Sequence, residues 1–463
     1  MMKRLCLIAA SSVALAGCAT VGPNFQSPAP KAPAQQPFLG AVASPQFSGS
    51  EPPGRWWSLF GNQVLDRLVQ QALAANTDLR VAAANLAQAR ARLQESRGAR
   101  LPSTTASGSV TYSNQPEGVP TDTIYDVGLD VGYQLDMFGR IRRAIEAGEA
   151  DVGAAQAAFD VTRISIAAET ARAYADACSA GRQLVVARNT VRLQEQTFAL
   201  TRRLVAGGRG TALDTGQAGS LLEQTRAALP TLEAQRQAAL FRLAVLTGVP
   251  PSQFSGEAAL CETPPTLSRP IPVGNGATLL ARRPDVRQAE RELAAATARI
   301  GVATAGLYPD IQLGLSVGST ATSPGDLVSG DGFRLGLGPL ISWSFPNTRL
   351  ARARIAQAEA SAQAALARFD GTWLGALQET ETALTRYARS QERIAALRRA
   401  VANSAEAARI ARLRYRGGRE NFQIVLEAER TLAQVESSLA QAEAELSDNL
   451  VTLFLALGGG WQG

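Results

Sequence analysis

Between Tyr125 and Leu135 apolar and polar positions alternate without a break. Tyr125, Val127, Leu129, Val131, Tyr133 and Leu135 fall on one side of an extended strand, with Asp126, Gly128, Asp130, Gly132 and Gln134 on the other and Asp136 next in phase. From Gly139 the period becomes helical, and no proline interrupts the chain before Pro230. A single helix over residues 139–205 would be about 100 Å long at ~1.5 Å per residue, a length that belongs to coiled-coil-like bundles. Alanine at many core-type positions allows close helix packing, with Arg, Gln and Glu covering the rest.

The same succession of patterns returns later. Ile311, Leu313, Leu315 and Val317 alternate with Gln312, Gly314, Ser316 and Gly318, and Phe333, Leu335, Leu337, Pro339, Ile341 and Trp343 form a further apolar face. Strands are expected at about 103–113, 123–136, 310–320 and 332–345, with a helix from about Leu65 to Arg100 ahead of the first pair and a second proline-free rod from Asn347 to the end. Gly207-Gly208 and Gly417-Gly418 are expected to break the rods and reverse the chain.

This recurrence is a duplication. The stretch Leu73–Pro102 aligns without a gap on Leu280–Pro309, pairing Asp78 with Asp285, Arg80 with Arg287, Leu86 with Leu293 and Arg92 with Arg299. A second gapless match runs from Gly207 with Gly417 through Leu222 with Leu432 and Glu233 with Glu443 to Gly248 with Gly458. The expected organisation is a leader at 1–17, an extended segment at 18–60, and repeats at 61–265 and 266–463.

Composition narrows what the chain can do. The 463 residues contain no histidine, which removes the commonest general base and most zinc or iron sites, so no catalytic residue, metal or cofactor is expected. The formal charge of +6 is spread over arginines set among Glu and Asp on helical stretches, which reads as solvated helix faces rather than a nucleic-acid surface. The start, MMKRLCLIAASSVALAGCAT, has a basic head and an apolar core too short to span a bilayer, the pattern of an export signal. Leu15-Ala16-Gly17-Cys18 resembles the lipobox of bacterial lipoproteins, which implies that Cys18 carries covalent lipid and, with Ala19 following it, goes to the outer membrane. Cys178 and Cys261 are then the remaining thiols, free to pair in an oxidising compartment or to be simply buried.

No later segment has eighteen uninterrupted apolar residues, so a membrane crossing would have to be made by strands in a closed barrel. Four strands of about ten residues are long enough, but the smallest barrels need about eight. An oligomer follows, because open sheet edges are not tolerated in lipid. With the Val and Leu side towards lipid, Asp126, Asp130 and Asp136 are expected to line a wet pore.

Several segments, GCATVGPNF, RWWSLFGNQVLDRLVQQAL, YQLDMFGRIR, LARRPDVRQAE, LYPDIQLG and RYRGGRENFQIVLEAE, strongly resemble the outer membrane factors of tripartite efflux systems, in particular the NodT-type lipoprotein channels. They span nearly the whole mature chain in the family's order; Asn24 in place of a common acid and Pro230 inside a helix are departures. The resemblance implies a homotrimer whose twelve-stranded outer-membrane barrel continues into a long periplasmic α-helical barrel. It implies passive export of drugs or other small toxic compounds delivered by an inner-membrane RND transporter through a periplasmic adaptor. It places adaptor docking at Gly207, Gly208, Arg209, Gly417, Gly418 and Arg419, and a periplasmic gate at Asp214, Tyr415, Glu420 and Glu427. Trp343 is expected in a membrane-interface belt; Trp56-Trp57 could serve there or pack beside the helix that follows. The competing readings are the channel of a type I secretion system, a periplasmic adaptor lipoprotein, and a cell-wall enzyme. The lipobox, the repeat and the missing histidine count against these in turn.

Overall fold

The computed structural model describes residues 20–28, 36–42, 45–113, 122–254, 256–267, 269–346 and 348–459; Cys18 lies outside them. The chain forms two compact units, each drawn from both repeats: residues 1–29, 84–157 and 287–372 in the first, and 30–83, 158–286 and 373–463 in the second.

In the first unit four antiparallel strands form one open sheet: β1 (Ser103–Ser113), β2 (Asp122–Leu135), β3 (Asp310–Ala321) and β4 (Phe333–Ser342), in that spatial order. The central β2–β3 pair joins the two repeats, with Asp126 opposite Thr320 and Asp130 opposite Ser316. Residues opposite each other share a face, so the register assigns each residue a side, with Leu340 among the polar residues opposite Gln312 and Ser319 among the apolar ones opposite Val127 as exceptions. One face carries Thr105, Asp126, Asp130, Gln312, Ser316, Thr320 and Arg334; the other carries Val127, Leu129, Val131, Leu315, Val317, Leu335 and Leu337. The apolar face is left uncovered, with Leu337 81% exposed. Among the described residues, no strand pairs with the outer edge of β1 or of β4.

A left-handed Gly139 (φ 75°) turns the chain from β2 into a 67-residue helix, α3 (Arg140–Ala206). Asp136 corrects the sequence reading. It lies just beyond β2, and its carboxylate accepts from the amides of Ile141 and Arg142 at 2.9 and 3.0 Å and pairs with the Arg142 guanidinium at 3.3 Å. It caps the orphan N–H groups of the helix instead of lining the strand's polar face. Arg143, one turn in, is fully buried and holds the chain's first described segment, donating to the carbonyls of Val21 and Gly22 at 3.1 Å each and to Asn24 at 2.8 Å. Beside the sheet, Phe138 stacks on Tyr308 (4.4 Å), and Trp343 stacks on Phe345 (4.8 Å) while donating to the carbonyl of Leu307 at 3.1 Å.

In the second unit the core gathers helix ends. Trp56 is wholly buried and stacks on Phe454 at 4.9 Å, with Trp57, Leu65, Val69, Tyr174, Leu243 and Leu384 around it. The tryptophan pair is therefore core, not a membrane anchor. Cys178 and Cys261 form a disulfide within this region.

The expected helix from Leu65 to Arg100 is two helices, α1 (Gln63–Ala75) and α2 (Thr77–Gly98), separated by an extended Asn76 (φ −60°, ψ 137°). Asn76 caps α2 by accepting from the amides of Asp78 and Leu79 at 2.8 and 3.3 Å. The second repeat breaks likewise at Arg283, between α5 (Gly276–Arg282) and α6 (Pro284–Ala305). The greater part of each long rod completes the unit: α3 reverses into α4 (Ala212–Leu246), which stays helical through Pro230, and α7 (Arg349–Arg416) into α8 (Phe422–Ala456).

Candidate functional site

Two places concentrate functional side chains: the polar face of the sheet and the two helix reversals. On the sheet, Asp126 accepts from Thr320 at 2.7 Å and is ion-paired with Arg334, which reaches across the intervening β3 from β4. Arg334 was not singled out from sequence, although its position in phase with Gly336 and Gly338 carried the signal. Asp130 is exposed and makes no ion pair among the described residues. It lines an open hollow of about 490 Å³ with Ser103, Thr105, Gln312 and Ser316. Two of the three expected pore acids thus share one face, and Asp136 does not join them.

The reversals are built the same way twice. After α3, Gly207, Gly208 (φ 73°) and Arg209 donate to the carbonyls of Arg203, Val205 and Leu204 at 3.1, 3.0 and 2.8 Å. After α7, Gly417, Gly418 (φ 72°) and Arg419 donate to those of Leu413, Tyr415 and Arg414 at 3.1, 2.9 and 2.9 Å. These bonds satisfy the last helical carbonyls, and the positive φ is what glycine supplies cheaply. The turns are neighbours: a Cβ on Gly418 would collide with the Arg209 guanidinium.

The residues expected at the gate divide. Asp214 closes a capping box with Thr211 at the start of α4, accepting from its amide at 2.8 Å. Tyr415 is buried against Phe422 (ring centroids 5.6 Å) in a cluster with Ala218, Leu221, Val425 and Leu426. Burial pushes its hydroxyl's pKa up, and the group faces Thr201 without a well-formed hydrogen bond. Glu420 lies 3.7 Å from Arg414, while Glu427 is exposed and makes no ion pair among the described residues. Sequence reasoning missed Glu429, which is buried one turn from Val425 although its spacing resembles that of any surface glutamate.

An open sheet with one bare apolar face, one charged face and two unpaired edges, in a chain with helices of 67 and 68 residues, defines a subunit of an oligomeric outer-membrane channel. No helix among the described residues is long and apolar enough to cross a membrane. The model of the family described as outer membrane efflux protein matches the chain twice, over residues 68–249 and 276–459, and the chain belongs to that family. It is similar to nodulation protein T of Rhizobium leguminosarum bv. trifolii (30% identity over 97% of this chain and 96% of the relative) and to outer membrane protein OprJ of Pseudomonas aeruginosa (32%, 96% and 94%). Among solved structures it resembles the outer-membrane channel OprN, with a TM-score of 0.89 and 36% identity over 96% of this chain and all of that one. The protein is an outer-membrane efflux channel.

Proposed function

We propose that three copies of the chain close a twelve-stranded barrel and act as the passive exit duct of an RND-type tripartite pump for small toxic compounds, with energy supplied at the inner membrane. The observation that carries this reading is the sheet: Leu335 and Leu337 bare on one face, Asp126, Asp130 and Arg334 on the other, and both edges open to a neighbouring copy. A periplasmic adaptor docks on Gly207, Gly208 and Arg209 and on Gly417, Gly418 and Arg419, where side-chain-free backbone admits close approach. Of the gate candidates, Glu427 is the one free to reach a neighbouring copy. Asp214, Tyr415 and Glu420 support the same aperture from within the chain. Lipid on Cys18 adds an anchor to the barrel.

The test is the purified protein in mild detergent and in planar bilayers. A trimer that conducts ions supports the reading; a stable monomer without conductance overturns it.

A further inference from the structure

A buried carboxylate ordinarily finds a partner for each oxygen. Glu429 on α8 is 3% exposed and does not. One oxygen accepts from the Thr197 hydroxyl at 2.7 Å and lies 3.7 Å from the Arg412 guanidinium, while the other, Oε2, has no partner. Two turns on, the half-buried Glu436 accepts from Thr190 at 3.4 Å. Facing both, α3 presents Thr190, Gln194, Thr197 and Thr201, all buried and at the spacing of a helix-packing seam.

This polarity is not required by the fold. In the duplicated half, Ala400, Ser404, Ala407 and Ala411 occupy the positions of the four α3 residues, and Gly219 and Arg226 those of Glu429 and Glu436. The groups around Glu429 are few. α7 brings Arg412 and, one turn on, the buried Tyr415; α3 brings the neutral Gln194 and Thr197. α4 adds Ala218 and Leu221 to the apolar cluster around Val425, one turn before Glu429, and an Asp214 that acts on Tyr415; α8 itself adds Glu436.

We propose that Glu429, seconded by Glu436, makes the α3–α8 seam a proton-sensitive latch next to the helix reversals: the packed seam holds the neutral carboxyl, and ionisation loosens α8 from α3. Desolvation raises the pKa of both carboxyls, only partly offset by the threonine bonds, by Arg412 and, at Glu429, by Gln194. A packed state with a raised acid pKa binds its proton more tightly than a hydrated one. Packing is therefore favoured in acid and weakens as pH rises from the ordinary carboxylate value through the raised one. The latch rests on the channel reading only for its consequence, a periplasmic end that tightens in acid.

The experiment is amide hydrogen exchange of the purified oligomer between about pH 5 and about pH 8, corrected for intrinsic rates, with single-channel conductance in parallel. In the wild type, the opening equilibrium of residues 422–436 rises severalfold with pH. Glu429→Gln keeps the Thr197 bond and cuts the rise to the smaller part that Glu436 supplies. Arg412→Gln removes support for the ionised form and moves the midpoint to higher pH. A pH-independent wild type, or an unaltered rise in Glu429→Gln, overturns the latch. Absence of conductance at every pH counts against the channel reading instead, and leaves the exchange result to decide the latch.

Discussion

The side-chain amide of Asn76 donates to the carbonyl of Leu246 at 3.1 Å, and in the second repeat Arg283 donates to the carbonyl of Ala456 at 3.0 Å. Both bonds tie the break between a short and a long helix to the last carbonyls of the closing helix of the same repeat, where unpaired acceptors gather. Arg283 also pairs with Asp285 at 2.6 Å and Glu379 at 2.8 Å. Asn76→Ala loses a cap and a buried hydrogen bond, a cost of about 1–2 kcal/mol. Arg283→Ala strands two partly exposed carboxylates as well and should cost about 2–3 kcal/mol. Denaturant titration of the two variants checks the order; equal losses would contradict it.

The Cys178–Cys261 bridge closes a loop of sequence separation 83 and fastens the buried Cys178 of α3 to the segment after α4. In the loop-entropy picture its removal costs up to about 4.5 kcal/mol. The double variant Cys178→Ala, Cys261→Ala should assemble but melt at a clearly lower temperature than the oxidised wild type, and a reductant should no longer change its melting point.

Asp130 and Asp136 are six residues apart and have different roles. Asp130→Asn removes a charge from the polar face of the sheet and should reduce cation preference, seen as a smaller reversal potential across a salt gradient. Asp136→Asn should leave the reversal potential alone and weaken the start of α3 by about 1 kcal/mol, visible in the melting temperature. If the second variant also moved the reversal potential, the capping assignment would be wrong.

At the reversals, Gly208→Ala and Gly418→Ala both force a side chain into left-handed backbone, costing about 1–2 kcal/mol each. Gly418→Ala must also displace Arg209, whereas nothing lies near a Cβ on Gly208. Co-purification with an adaptor should fall further for Gly418→Ala; the reverse order would argue against Arg209 and Gly418 sharing one surface.

The sheet was legible because its two environments are imposed on alternate residues, and the reversals because glycine pairs end both rods. Asp136 was misread because the polar phase of the strand runs on into the cap, so periodicity could not separate a pore acid from an N-terminal one. Asn76 caps α2 with bonds to Asp78 and Leu79, which a local pattern can show, but its bond to a carbonyl 170 residues away lies outside any local pattern. Glu429 escaped notice because its burial is decided by the threonines of α3. Trp56 went to the core because Phe454, near the end of the chain, stacks on it.

The two bare edges of the sheet carry a genetic consequence. In the proposed trimer each chain offers β1 to one neighbour and β4 to the other, so a subunit spoiled on one edge can still join through its intact side. Such a subunit would leave the ring unclosed and draw sound partners into it. Lesions confined to β1 or β4 should therefore be dominant when expressed beside the normal gene, whereas lesions that unfold the whole chain should be recessive.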